Sequence, residues 1–247
     1  MSTNARLFKR PCRLQRIGLT GLLLAGLVGC EPPSAKVDLT GSIQLFGPAT
    51  GLSVSDLSDD WIRLGASPKD HAIISAAADG LSIRLSSGQQ PYSLVRRTDA
   101  SLLAAPFLSW SWRVEASKQP FYPARITIGL RDTLVSGGRR QPTLVFGASR
   151  GLPKYDRTII LVWSHSALMR GSVNHITSEP ASVRYVVRGG QENADRWWHE
   201  AVDLSDIHAQ AWPNLSRDES RLVFIGLTVT ADPATVSAAF KAIKLSR

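Results

Sequence analysis

Gly147-Ala148-Ser149-Arg150-Gly151 is the sharpest catalytic pattern in the chain. It matches the G-x-S-x-G nucleophile elbow and follows a strand-like run, Thr143 to Phe146, with five histidines available as bases. An elbow works by straining a strand-to-helix turn, so it needs a helix directly after the serine. Gly151-Leu152-Pro153 is a poor start for one, and the segment reads instead as a glycine-bearing loop. A hydrolase or lyase acting on a polysaccharide or ester, with Ser149 or His175 in its machinery, is the enzymatic alternative. It requires a convergent acid/base pair.

His71, His165, His175, His199 and His208 form no H-E-x-x-H and no ligand pair at helical spacing, which argues against zinc. Asp56, Asp59 and Asp60 could supply oxygens to a structural Ca²⁺, although turn residues and helix caps explain the same cluster. No other cofactor is expected.

The binding candidates are arginines and tryptophans. Arg113 on one strand-like run, and Arg125 and Arg131 on the next, stand on the polar phase of their strands. If they lie together, their forked guanidinium groups could take carboxylates, phosphates or sugar hydroxyls. The alternative is that they are solvated or paired with acidic residues. Of seven tryptophans, Trp110, Trp112 and Trp163 fall on inward phases. The neighbours Trp197 and Trp198 must point to opposite sides of an extended chain, which makes one of them a candidate stacking platform for a sugar ring.

These residues need a sheet to position them, and period-two runs supply it. Leu81 to Leu85 and Arg125 to Arg131 alternate, and in Phe107 to Val114 the residues Leu108, Trp110, Trp112 and Val114 share one face, with Phe107, Ser109, Ser111 and Arg113 on the other. Thr158 to Trp163, Val183 to Val187 and Leu222 to Val229 are apolar on both faces and read as central strands. Gly, Pro and Asp punctuate between them. The expectation is an all-β fold, an antiparallel β-sandwich or jelly roll, with one short helix near Ser205 to Ala211 that Pro213 limits.

The N-terminal segment is an address. Arg6, Lys9, Arg10, Arg13 and Arg16 precede the apolar tract Ile17 to Val28, which is shorter than the roughly 20 residues a spanning helix needs. The tract closes on Leu27-Val28-Gly29-Cys30, which resembles the lipobox of bacterial lipoproteins. That resemblance implies a signal peptide over residues 1–29 and lipid on Cys30. Several acyl chains at about 0.8 kcal/mol per buried methylene suffice for stable anchoring. Glu31 stands where an Asp would resemble an inner-membrane retention signal, which favours the periplasmic face of an outer membrane.

Residues 30–42, with Pro32-Pro33, read as the lipidated cysteine and a flexible tether, and 43–247 as one sandwich domain. Cys12 and Cys30 are the two cysteines, so the mature domain must be held by apolar burial and not by disulfides. The formal charge of +9 also shrinks: without the five cations before Cys30, of 29 basic residues 24 remain against 20 acidic ones, a formal +4. Nucleic acid is not an implied partner.

FLSWSWRV at 107 to 114, RITIGLR, the strand ending in Trp163, YVVRGG, Trp197 and VFIGLTVTAD together resemble the bacterial domain of unknown function numbered 3047, from about Trp61 to Leu245. The resemblance implies a secreted β-sandwich similar to galactose-binding-like and jelly-roll carbohydrate-binding modules, with no established activity. Asp232-Pro233-Ala234-Thr235 departs from the acidic stretch expected there. The residues favour a non-catalytic module, lipid-tethered in the envelope, that engages a glycan or another envelope component through the arginine-bearing face. A purely structural lipoprotein that binds a protein through a sheet edge or aromatic patch is a third reading.

Overall fold

The computed structural model describes residues 34–35, 41–46, 61–65, 72–77, 80–86, 91–116, 124–132, 151–230 and 236–247. Cys30, the acidic group Asp56, Asp59 and Asp60, the Gly147 to Arg150 stretch and most of the expected tether lie outside these residues. The chain divides into Met1–Cys30 and a larger unit, Glu31–Arg247, which carries the fold.

In chain order the described strands are β1 (Ile43–Phe46), β2 (Trp61–Gly65), β3 (Ala72–Ala77), β4 (Gly80–Ser86), β5 (Tyr92–Ser101), β6 (Phe107–Val114), β7 (Ala124–Asp132), β8 (Arg157–Ser164), β9 (Val173–Ile176), β10 (Glu179–Gly189), β11 (Trp198–Asp203), β12 (Ser220–Val229) and β13 (Ser237–Ser246). A front sheet of six strands runs β11-β6-β13-β4-β3, with β1 also paired to β13; a back sheet of seven runs β2-β5-β12-β7-β8-β10-β9. Successive strands β4 to β7 alternate between the sheets, and β12 and β13 then insert between earlier strands, one in each sheet. This is a β-sandwich of jelly-roll type.

The two sheets meet through the phases that the sequence predicts. Leu108, Trp110, Trp112 and Val114 from β6 pack against Ile126, Ile128 and Leu130 from β7 and their neighbours, all at 0–2% exposure. Trp112 is the hub, with ring centroids 5.5 Å from Trp110, 5.4 Å from Trp163 and 6.4 Å from Phe240. The first two are edge-to-face contacts, the arrangement the aromatic quadrupole prefers.

One helix, α1 (Leu204–Ala211), follows β11 directly. The carboxylate of Asp203 caps it, accepting from the backbone N–H of Ser205 at 2.8 Å and of Asp206 at 3.1 Å. Leu204, Ile207 and Ala211 bury its apolar side in the core. Trp212 ends it before Pro213, as the sequence predicts.

Among the described strands, antiparallel pairing fails at one place. β8 and β10 are parallel, because the chain leaves β8, runs first along β9 at the sheet edge, and only then reverses into the slot between the two. The back sheet is also covered on its outer side. A bulge in β12 between Leu222 and Phe224 sends both Val223 and Phe224 into a second apolar cluster with Ile62, Leu64, Val95 and Tyr155. The ring of Phe224 lies over Gly129, where a Cβ would come within 2.1 Å of it. Ile160, Val162 and Val186 form a third cluster with Met169 and Ile176. These two clusters are why the central back strands read as apolar on both faces.

Candidate functional site

Burying Trp110 and Trp112 forces the intervening residues of β6 outward. Arg113 is thereby exposed on the outer face of the front sheet, and the ladder sets its neighbours: Ala239 of β13 is in register with Arg113 on one side and with Arg84 of β4 on the other. The next rung pairs Ser111 with Lys241 and, across the opposite edge, with His199. Ser111 Oγ and His199 Nδ1 are 3.4 Å apart.

A β-bulge between Lys241 and Lys244, with Ala242 at φ 51°, restores the phase so that both lysines face outward. A non-glycine residue in that region costs of order 1 kcal/mol.

Trp197, one residue before β11, closes the edge of this face. Together with Arg113, Arg84, Glu115, Ser82 and Ala239 it lines a shallow groove of about 200 Å³. The floor is small side chains and the walls are long ones. Arg84 is ion-paired with Glu115, and Lys241 Nζ stands 4.3 Å from the centroid of the Trp197 ring. Arg113 has no side-chain hydrogen bond or ion pair among the described residues.

The expected split of the tryptophan pair is present. Trp198 turns inward against the core, its indole N–H donating to the Asn193 carbonyl at 2.8 Å. The Arg188 guanidinium stacks 3.7 Å from its ring centroid. Arg188 also pairs with buried Glu200, whose other oxygen accepts from Arg170 at 3.4 Å. Trp198 therefore belongs to a structural latch, and Trp197 alone of the two faces the groove.

The expectation that Arg113 could join Arg125 and Arg131 is corrected by the topology. β6 is in the front sheet and β7 in the back sheet, so their outward side chains point to opposite exteriors of the sandwich. Arg131 borders a separate depression with Arg97, Asp99, Pro153 and Val223. Arg84, Lys241 and Ala239 were not singled out in the sequence. Their outward phase is legible from Ile83, Leu85 and Phe240, but their adjacency to Arg113 exists only through the order β6-β13-β4.

No protein-family model matches the chain, and no curated protein does. Solved structures with a similar path of the chain are carbohydrate-binding modules and glycoside hydrolases. A family 11 carbohydrate-binding module of Clostridium thermocellum is 13% identical with TM-score 0.43, covering 85% of this chain and 96% of its own. A family 12 xyloglucanase from Bacillus licheniformis is 10% identical with TM-score 0.41, covering 87% and 97%. The xyloglucanase domain of a type three effector from Sinorhizobium fredii is 12% identical with TM-score 0.39, covering 75% and 92%. None of these likenesses transfers a residue or an activity to this chain.

Metal and nucleophile chemistry have their own geometric tests. Among the described residues no group of three or more His, Cys, Asp or Glu could hold a metal ion. Serine, histidine and aspartate do converge at Ser220, His208 and Asp132, which sequence reasoning did not single out. Ser220 Oγ lies 3.3 Å from His208 Nε2 and donates to Asp132 Oδ1 at 3.2 Å. A catalytic triad needs the carboxylate on the other imidazole nitrogen. Here Asp132 is instead gripped by both terminal nitrogens of Arg157, and His208 Nδ1 has no hydrogen-bond partner.

Ser220 and His208 are both 0% exposed, so no substrate reaches the hydroxyl. The cluster fastens α1 to β7, β8 and β12, with Trp212 packed against the imidazole at 5.3 Å and beneath Arg157 at 5.2 Å.

Burial first, and then the neighbouring Arg157, hold the His208 pKa down at about 4, against 6.5 for a free imidazole; Asp132 opposes them and Arg217 adds to them. The folded state thus keeps His208 neutral where the unfolded chain binds a proton. Its contribution to stability is complete above about pH 6.5 and declines as the pH falls towards 4. Thermal melts should show the midpoint dropping through this window, with a shallower drop in His208→Gln; parallel slopes for the two proteins would contradict the assignment.

Proposed function

We propose that this domain is a non-catalytic glycan-binding module, held at an envelope membrane by lipid on Cys30, and that it binds saccharide on the outer face of its front sheet. The observation that carries this reading is the groove itself. Arg113, exposed and without a hydrogen-bond or ion-pair partner among the described residues, and the half-buried Trp197 ring flank a floor kept low by Ser82 and Ala239. Pyranose rings offer an apolar face for stacking and a rim of hydroxyls for hydrogen bonds, and the groove presents the complement of each.

Much of the outer side of the back sheet is occupied by two apolar clusters, and the depression beside Arg131 has no aromatic ring among the described residues that line it. Glycosidic cleavage uses two carboxylates roughly 5–10 Å apart. Glu115 is the acidic residue among those described that line the groove, and it is paired with Arg84.

The lipid anchor rests on the basic region, the short apolar tract and the Leu-Val-Gly-Cys sequence ending at Cys30. Glu31 to Pro33, with two adjacent prolines, would then space the sandwich from the surface, since Ala35 already donates its backbone N–H to the Arg97 carbonyl at 2.9 Å and packs against the core.

In glycan-array and calorimetric titrations of the purified protein, Trp197→Ala should weaken saccharide binding at least tenfold, about 1.4 kcal/mol, with the melting midpoint unchanged. Trp198→Phe should leave affinity intact; equal affinity of Trp197→Ala and the parent would refute the front-face site. Cys30→Ser should move the protein from the membrane to the soluble fraction of cells, and its retention on the membrane would refute the anchor.

A further inference from the structure

We infer that the glycan bound on the front sheet is acidic, a polymer carrying uronate residues, with Arg113 as the group that takes its carboxylate. The inference rests on the front face being the saccharide site and deepens it. Four cationic side chains project on this face from adjacent strands: Arg84 from β4, Arg113 from β6, and Lys241 and Lys244 from β13. Glu115, at the groove wall, is committed to Arg84. Lys241 is drawn over the Trp197 ring. The described surroundings of Arg113 contain no carboxylate paired with it, and its register partner on β13 is the small residue Ala239.

A cation with no partner among the described residues, beside a neutralised one and in a groove with a low floor, suits an anion supplied from outside. Register gives the slot its width. Arg113 and Arg84 occupy one row on either side of Ala239, two strand spacings apart or roughly 10 Å at Cα. A pyranose ring can lie in that interval with its substituents reaching either wall.

The planar fork of a guanidinium matches a planar carboxylate through two parallel hydrogen bonds, and such charge-assisted bonds are about twice as strong as neutral ones. A neutral sugar gains no comparable term from Arg113, while the positive face attracts a polyanion before contact and aligns it along the sheet.

The test is calorimetric titration of the purified protein in detergent with oligogalacturonate, with the same oligomer after full methyl esterification, with oligoalginate and with cellohexaose. Esterification leaves the ring and its hydroxyls and removes the charge. The result expected is that at least one uronate series binds, and at least tenfold more tightly than its ester or the neutral glucan. That preference should shrink in high salt and be lost in Arg113→Ala while Arg113→Lys retains part of it.

Equal affinity for acid, ester and glucan would overturn the acidic preference and leave the glycan site standing. Uronate binding undiminished in Arg113→Ala would overturn the role of that arginine. Binding of none of the four saccharides would overturn the inference, and with glycan-array silence the proposed function as well.

Discussion

Trp110 and Trp112 on β6 are the contact on which the remainder of the domain depends. Two indoles at alternate positions of one strand can be buried only if the strand holds a single phase, and a shift of one residue would put both in water. Burying side chains of this size is among the largest single apolar contributions available to a domain that has no disulfide. Trp112 then ties β6 to Trp163 of β8 across the sandwich and to Phe240 of β13 beside it, so both sheets register on one ring. The same constraint sets Ser109, Ser111 and Arg113 outward, and the front-face groove is a by-product of the core.

The sandwich treats its two exteriors differently. The outer side of the back sheet carries Phe224, Tyr155, Val223 and their partners, and further along Ile160, Val162 and Val186, so that side is partly a core of its own. The front sheet presents small and cationic residues over the same kind of ladder. At the end of the sandwich, the buried Asp132–Arg157 pair with His208, Ser220 and Trp212 fixes α1 against three strands of the back sheet. Removing either charge would strand the other in a dry site, which typically costs about 3–5 kcal/mol. A histidine, serine and aspartate within reach of one another are here a fastening.

Much of this was legible along the chain and some was not. Period-two alternation places the core and surface phases of β6, β7 and β4 correctly, and the helix expected over Ser205 to Ala211 and limited by Pro213 starts one residue earlier, at Leu204, behind a cap, Asp203, that the sequence reading did not name. Local signals of that kind depend on neighbours in sequence. The pairing of Arg113 with Arg125 and Arg131 failed because it assumed that consecutive strands share a sheet, whereas the connection from β6 to β7 crosses the sandwich. Arg84 reaches the groove through the insertion of β13 between β4 and β6, a contact between residues far apart in the chain. The β13 bulge at Ala242, which keeps Lys244 on the outer face, carries no glycine to announce it. The parallel pairing of β8 with β10 likewise depends on where β9 is laid down, which no local pattern encodes.

The most direct test of the front-face account is to follow backbone amide signals of the isotope-labelled protein by NMR during titration with a uronate oligosaccharide. The account predicts saturable shifts confined to residues 82–84, 111–115, 197–199 and 237–241, with the signals of β7 and β12 unmoved. Shifts concentrated at Arg125 to Arg131, or spread over the sandwich rim with the front sheet silent, would contradict it.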